Sequence, residues 1–259
     1  MTSDEKENAS EGYTAIILVI VLIGVAGYIL FYGLQTLIYF DVKHWGAREA
    51  SLYVTAQPLT ITAPPAAPGQ TTHLEFFNYQ CEAPWKGPAK TTQGDDYIED
   101  KFPSGQTMRI ELPEVQADVL KSFKGESPEQ QQRIATVFGD HPFDSNFDLF
   151  AAIYNASPSQ ASPFMPRIDA ERLNTLLIWK LSLDTELPGG TYQFESDRIR
   201  GLQFGNPERS QNIAMRAFNE HDRQFKMLIM CSAASGAKLR QADINQIIAT
   251  LKPIPLPGQ

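Results

Sequence analysis

Residues 13–40 read YTAIILVIVLIGVAGYILFYGLQTLIYF, a run of 28 positions without a charged side chain. A bilayer core of about 30 Å needs about 20 helical residues, so this run predicts one transmembrane helix with its excess length taken up by tilt. The aromatic residues Tyr39, Phe40 and Trp45 at its end are typical of a membrane interface. A cleaved signal peptide is the competing interpretation, but the preceding tail is acidic and the apolar core is too long. The run therefore predicts a single-pass membrane anchor.

Polar and small side chains form one stripe along this helix. Gly24, Tyr28, Tyr32, Gln35 and Tyr39 recur at steps of four, four, three and four residues, which places them on one face. Polar groups in hydrocarbon are costly unless they find hydrogen-bond partners. The stripe therefore predicts packing against other helices of a membrane protein complex. The alternative is a lone helix in which Tyr39 lies at the interface and Gln35 reaches toward it.

Composition divides the chain into four parts. They are an acidic tail (1–12), the transmembrane helix (13–40), a juxtamembrane segment with a proline-rich linker (41–72) and a globular domain (73–259). Pro58, Pro64, Pro65 and Pro68 make the linker stiff and extended. The remaining residues are enough for one well-buried core. Positive charges flank the helix almost equally, but a stiff spacer and a possible disulfide favour a domain outside the cytoplasm.

The globular part mixes strand and helix patterns. Thr107–Leu112 and Phe225–Cys231 alternate apolar and polar residues, as strands do. Helices are predicted from Pro128 to about Phe138, from Asp169 to about Leu183, and over Asp243–Leu251. Strands, then helices, then strands again predict an α+β fold, in which an antiparallel sheet is packed with helices.

Charge and residue content exclude several functions. The net charge of −8 repels phosphate backbones, so we expect no nucleic-acid partner. The pairs Asp140-His141 and His221-Asp222 juxtapose carboxylate and imidazole, but adjacent residues rarely face each other, and surface turns are the better interpretation. We therefore predict no catalytic residue, no cofactor-binding residue and no metal ligand.

Three residues of the globular part are candidates for other roles. Cys81 and Cys231 either form one disulfide or are both buried free thiols. Trp85 lies between Pro84 and Pro88 at the end of a predicted strand. It is either an exposed anchor for a partner or a lid over the core.

The segment around Trp85 resembles a group of bacterial membrane-anchored proteins of uncharacterised function. The resemblance rests on Tyr79 to Trp85, on Phe102-Pro103-Ser104-Gly105, and on Gly201-Leu202-Gln203-Phe204-Gly205-Asn206-Pro207. More distantly, the element order and the closing helix look like the PsbP-like α/β sandwich of extrinsic photosystem proteins. That resemblance implies an accessory binding or assembly factor at the bacterial inner membrane, and it carries no functional residue over to this chain.

These features favour a non-catalytic, single-pass accessory subunit or assembly factor of a membrane protein complex. The partner is expected to be an integral membrane protein complex that contacts the transmembrane helix. Two other classes stay open: a membrane-tethered hydrolase, and a module that binds a lipid or small molecule through its aromatic-rich sheet. A deep pocket with convergent polar groups would favour either of these two.

Overall fold

The computed structural model covers seven stretches of the chain. They are residues 3–62, 71–87, 89–111, 127–139, 143–183, 190–232 and 236–254, without the side chains of 3–16, 30–32, 34 and 133. Three linker prolines (Pro64, Pro65 and Pro68), His141 and the side chain of Tyr32 lie outside the described residues.

Five α-helices lie in the described part. They are α1 (Ser3–Arg48), α2 (Pro128–Phe138), α3 (Asn146–Asn155), α4 (Arg167–Ser182) and α5 (Gln241–Thr250), with short 3₁₀ turns at Ala50–Tyr53 and Pro158–Gln160. The Ser127 side chain accepts a hydrogen bond from the Gln130 backbone N–H, which begins α2 where the sequence predicts it. The predicted helices at α2, α4 and α5 are confirmed.

Eleven strands accompany these helices in the described part. They are β1 (Gln57–Leu59), β2 (Thr72–Phe76), β3 (Tyr79–Ala83), β4 (Lys90–Gln93), β5 (Tyr97–Lys101), β6 (Gln106–Glu111), β7 (Thr191–Glu195), β8 (Ile199–Phe204), β9 (Asn212–Asn219), β10 (Gln224–Cys231) and β11 (Lys252–Pro253). Buried positions alternate along β6 and β10, as their sequences predict. The fold is α+β.

The main sheet is mixed, which corrects the prediction of an antiparallel sheet. Its eight strands run in the order β1-β7-β8-β9-β10-β6-β5-β4, and a second sheet has the order β11-β3-β2. Strand β1 pairs in parallel with β7, whereas the other pairs of the main sheet are antiparallel. No hairpin links β1 to β7, because α1 and the 3₁₀ turn precede β1 and most of the fold separates it from β7. A short hairpin would force the two strands to be antiparallel, and without one β1 can run parallel to β7. Strand β1 also lies inside the segment expected to be a linker.

The largest core lies between one face of the main sheet and a layer formed by α5 and the second sheet. Met108 and Ile110 of β6 contribute from the sheet, and Ile244 and Ile247 contribute from α5, each fully buried. Phe76 of β2 closes this core from the second sheet. The burial of these side chains is the main hydrophobic contribution to the stability of the fold.

Helix α3 covers part of the opposite face of the main sheet. Phe147 and Phe150 of α3 pack on Phe218 of β9 with ring centroids 5.7 and 5.6 Å apart. The Asp222 carboxylate, in the turn between β9 and β10, accepts the Asn146 N–H at 2.5 Å and the Phe147 N–H at 3.3 Å. A carboxylate at a helix N-terminus is favourable, which offsets the strained positive φ of 56° at Asp222. The His221-Asp222 pair is therefore a turn that caps α3.

The structure contradicts the prediction of a transmembrane helix. Among the residues that the structure describes, no helix has both the length and the apolar character needed to cross a membrane. The described side chains of the 28-residue run lie in two different environments. Its C-terminal part packs against the chain's own helices, where Gln35 is only 8% exposed. The described apolar side chains between residues 17 and 25 are instead largely exposed.

Candidate functional site

The C-terminal half of α1 is attached to the globular part along one side. Val42 is 1% exposed and shares a cluster with Leu52 of the 3₁₀ turn and with Leu173 and Leu177 of α4. The Lys43 ammonium group donates a hydrogen bond to the Pro158 carbonyl at 2.9 Å. These contacts anchor α1 firmly at this end.

Gly46 allows the closest approach in this attachment. A Cβ atom at this position would lie 2.7 Å from the Tyr53 Oη and 3.0 Å from the Pro158 ring. A larger residue would have to displace one of these neighbours. The absence of a side chain therefore lets α1 lie directly on the two 3₁₀ turns.

A buried lysine stabilises the surface on which α1 lies. Lys180 of α4 is 6% exposed, and its ammonium group donates to the carbonyls of Leu52, Val54, Tyr154 and Ala156 at 3.2, 2.6, 3.4 and 2.8 Å. Tyr154 belongs to the last turn of α3, where carbonyl dipoles favour a positive charge. Lys180 thus joins α4, the C-terminal end of α3 and the chain segment that follows α1.

Residues 17–29 of α1 are different, because their aliphatic side chains are exposed on every side. Nine aliphatic residues between positions 17 and 29 are each between 49% and 66% exposed: Ile17, Leu18, Val19, Ile20, Val21, Leu22, Ile23, Val25 and Ile29. A helix that is hydrophobic all round normally occurs buried in a large protein or in a membrane. We call residues 17–29 the apolar arm.

More exposed apolar residues lie at the base of the apolar arm. Phe164 is 69% exposed, and its ring lies 6.1 Å from the Tyr28 ring in an edge-on arrangement. Leu37 and Phe40, on the outer side of α1, are 67% and 62% exposed. The sequence analysis did not single out Phe164. Its position between Pro163 and Pro166 repeats the pattern that drew attention to Trp85.

The predicted polar stripe of α1 divides between the two halves. Gly24 is exposed in the apolar arm, and nothing lies within 4 Å of where its Cβ would be. The Tyr28 hydroxyl shares a hydrogen bond with the Thr36 hydroxyl at 2.9 Å. Gln35 is buried, whereas Tyr39 is half-buried and contacts Phe40 and Lys43. The four described positions of the stripe therefore divide equally, with Gly24 and Tyr28 in the apolar arm and Gln35 and Tyr39 in the attached half.

Trp85 and the two cysteines are buried in the largest core. Trp85 is 5% exposed, with its ring 4.9 Å from that of Phe102, so it forms a lid over the core. Cys81 and Cys231 are free thiols in this structure. Burial raises the pKa of both thiols above the ordinary value, which keeps them protonated and unreactive.

The short motifs that carry the family resemblance have structural explanations in this chain. A Cβ on Gly201 would lie 2.6 Å from the Phe194 ring, so the glycine leaves room for that side chain. The Gln203 and Gln241 amides bond each other at 2.9 and 3.0 Å, which joins β8 to the start of α5. Gly205 adopts a φ of 91°, a conformation that glycine tolerates best. None of these three positions needs a ligand to explain it.

The remaining candidate positions are dispersed. His73 lies on the β2–β3 hairpin beside Glu82, and His44 and His221 are exposed. Within the described residues, no group of His, Cys, Asp and Glu side chains has the geometry of a metal site. A cavity of about 440 Å³ lies beside β1 and β7, and Glu195 is the ionisable side chain in its lining.

No family model, curated protein or solved structure matches this chain. The function must therefore be argued from the geometry above.

Proposed function

We propose that this protein is a non-catalytic accessory or assembly factor that binds an integral membrane protein complex through the apolar arm of α1. The observation that carries the proposal is the exposure of apolar side chains all around residues 17–29. The attached half of the same helix fixes the arm to the globular part, so a partner bound to the arm is held beside the domain.

The size of the exposed surface supports a partner that surrounds the arm. Covering nine aliphatic side chains that are each about half exposed contributes on the order of 10 kcal/mol. Association costs roughly 4–15 kcal/mol. A groove that covers one side of the arm would therefore bind weakly, whereas helices that cover all sides would bind stably. Apolar helices of that kind are characteristic of membrane protein complexes, in agreement with the expected location at the bacterial inner membrane.

Site-specific photocrosslinking in cells tests the proposal. A photoreactive residue placed in turn at Val19, Ile20, Val21 and Leu22 samples all sides of the arm. We expect each of the four positions to crosslink to the same set of membrane proteins. The exposed Thr92 of β4 serves as the control position and should not give these products.

The pattern of products decides the outcome. Crosslinks from a single side of the arm, or only to a second copy of this chain, would contradict an enclosing partner. A second experiment replaces Ile20 and Ile23 with Gln, and we expect co-purification of the crosslinked partner to be lost. The matched control is Ile178→Gln, which changes an exposed isoleucine of α4 and should retain the partner.

A further inference from the structure

Two positive side chains face each other on the sheet surface beside α3. Arg216 of β9 and Lys226 of β10 are directly paired in the antiparallel register. Arg216 lies on the same face as Phe218, where α3 covers the sheet. Like charges placed directly opposite each other on neighbouring strands are destabilising.

The protein compensates both cations only in part, through Glu111 near Lys226 and Tyr154 near Arg216. The guanidinium of Arg216 lies 4.8 Å from the Phe150 ring, and its Nε is buried without a hydrogen-bond partner. Among the residues that the structure describes, no hydrogen bond or ion pair reaches the Arg216 or Lys226 side chain. The carboxylate opposite Lys226 on the other side is Glu111, and it forms an ion pair with Arg109 at 2.7 Å.

The pKa values of the Arg216 and Lys226 side chains are both lowered. Burial lowers the pKa of the Arg216 guanidinium from its ordinary value. Burial, followed by the charge of Arg216, lowers the pKa of the Lys226 ammonium group, with a smaller opposing effect of Glu111. Both shifts mean that the folded protein holds these positive charges at a cost in free energy.

Nearby Arg200 also packs on an aromatic ring of α3, but it has a carboxylate partner. Arg200 of β8 lies 4.7 Å from the Phe147 ring, one turn of α3 before Phe150. In contrast to Arg216, it has a carboxylate partner, because Asp148 lies 3.7 Å away. An aromatic contact with α3 is therefore common to both arginines, and only Arg216 lacks its anion.

We propose that Arg216 and Lys226 form a binding site for the phosphate group of a small ligand. Two adjacent cations match the charge of a phosphate dianion better than that of a single carboxylate. The planar guanidinium also presents paired N–H donors that suit two phosphate oxygens at once. Phe150 lies beside the guanidinium and limits the ways in which it can turn. A bound dianion would offset the repulsion between the two cations.

Titration of the purified full-length protein with inorganic phosphate tests this site. The Nε–H resonance of Arg216 is followed by NMR at constant ionic strength, and affinity is measured by calorimetry. We expect saturable binding with a Kd on the order of 1 mM, since two charge-assisted contacts are formed. Arg216→Met and Lys226→Met should each weaken binding about tenfold, whereas Arg200→Met should change it less than about twofold. Arg216→Lys keeps the charge without the paired donors and should be intermediate.

Two further probes identify the chemistry. Phenyl phosphate, a simple monoester, should bind at least as tightly as inorganic phosphate if the natural ligand carries the group on a larger molecule. Tighter binding of free phosphate would assign the site to the free anion. Acetate should bind several-fold more weakly than either, and equal binding of acetate would overturn the dianion assignment.

Stability measurements separate a binding role from a structural one. Because both cations are held at a cost, Arg216→Met and Lys226→Met should unfold at the same temperature as the wild type or higher. Phosphate should raise the unfolding temperature of the wild type and of Arg200→Met only. The proposal is overturned if wild-type phosphate shifts do not saturate, or if Arg216→Met unfolds earlier and still binds phosphate normally.

Discussion

The apolar arm and the attached half of helix α1 lie in opposite environments. Val42 in the attached half is 1% exposed, whereas Val25 in the apolar arm is 49% exposed. The attached half has Gly46 for close approach and Lys43 for a hydrogen bond across the contact. No contact of this kind is seen for the described side chains of residues 17–25. One continuous helix therefore contributes to the stability of the fold through its attached half and carries exposed apolar side chains in the apolar arm.

The first prediction concerns Lys180, which supports the attached half of α1. Its substitution has the largest expected effect on the free energy of unfolding. Lys180→Met leaves the carbonyls of Leu52, Val54, Tyr154 and Ala156 without their shared donor. We expect the free energy of unfolding to fall by about 3–5 kcal/mol, measured by chemical denaturation of the full-length chain.

The control for this prediction is Lys226→Met, which removes an exposed lysine that lacks an ion pair among the described residues. It should leave stability unchanged or slightly higher. Equal losses from the two substitutions would show that the carbonyl cluster does not support the helix.

The second prediction compares matched substitutions in the two halves. Val42→Ala creates a cavity against Leu52 and Leu177 and should lower the free energy of unfolding by about 2 kcal/mol. Val25→Ala removes the same atoms from an exposed position and should stay within about 0.5 kcal/mol of the wild type. The comparison would fail if Val25→Ala, measured on the isolated protein, destabilised it as much as Val42→Ala.

The third prediction concerns pH and has the smallest effect. A hydrogen bond with Glu82 raises the pKa of His73 above its ordinary value, with a smaller opposing effect from burial. The stabilising interaction is therefore fully present below the unfolded-state pKa of about 6.5 and is lost as the pH rises through the folded-state pKa. His73 is 48% exposed, so the expected change is only a few tenths of a kcal/mol.

Denaturation at pH 5.5 and pH 8.5 measures this change, and His73→Gln should abolish it. The difference between Val42→Ala and Val25→Ala should be the same at both values of pH, because His73 lies on the second sheet and not on α1. A pH-dependent difference between the valine variants would place a titrating group in the α1 contact instead.

Local sequence patterns predicted the elements of this fold well. The alternation in β6 and β10, the Ser127 cap of α2 and the apolar spacing of α5 are all determined by neighbours a few residues apart. Cys231 lies on the buried face of β10, in agreement with the alternation of that strand. Strand β1 could not be predicted in this way, because three exposed or half-exposed residues beside prolines have no period of their own.

The candidate sites were harder to predict, because their partners are distant in the sequence. Gln35 was assigned to a partner helix, and the structure buries it on the chain's own domain. Lys180 reaches carbonyls 128 residues away, and no feature of its helix indicates this. Arg216 and Arg200 both lie in predicted strands, and only the packing of α3 shows that Arg200 has a carboxylate partner and Arg216 does not.

The sequence by itself determined that the N-terminal part of the chain contains an apolar helix, and that strands and helices follow in the order of an α+β fold. These properties depend on local periodicity, which can be read without knowing any contact. Only the tertiary structure decided which half of α1 is covered, which way β1 runs, and which buried cations are satisfied. Each of these depends on groups brought together from distant parts of the chain, and their energies exist only once the chain has folded.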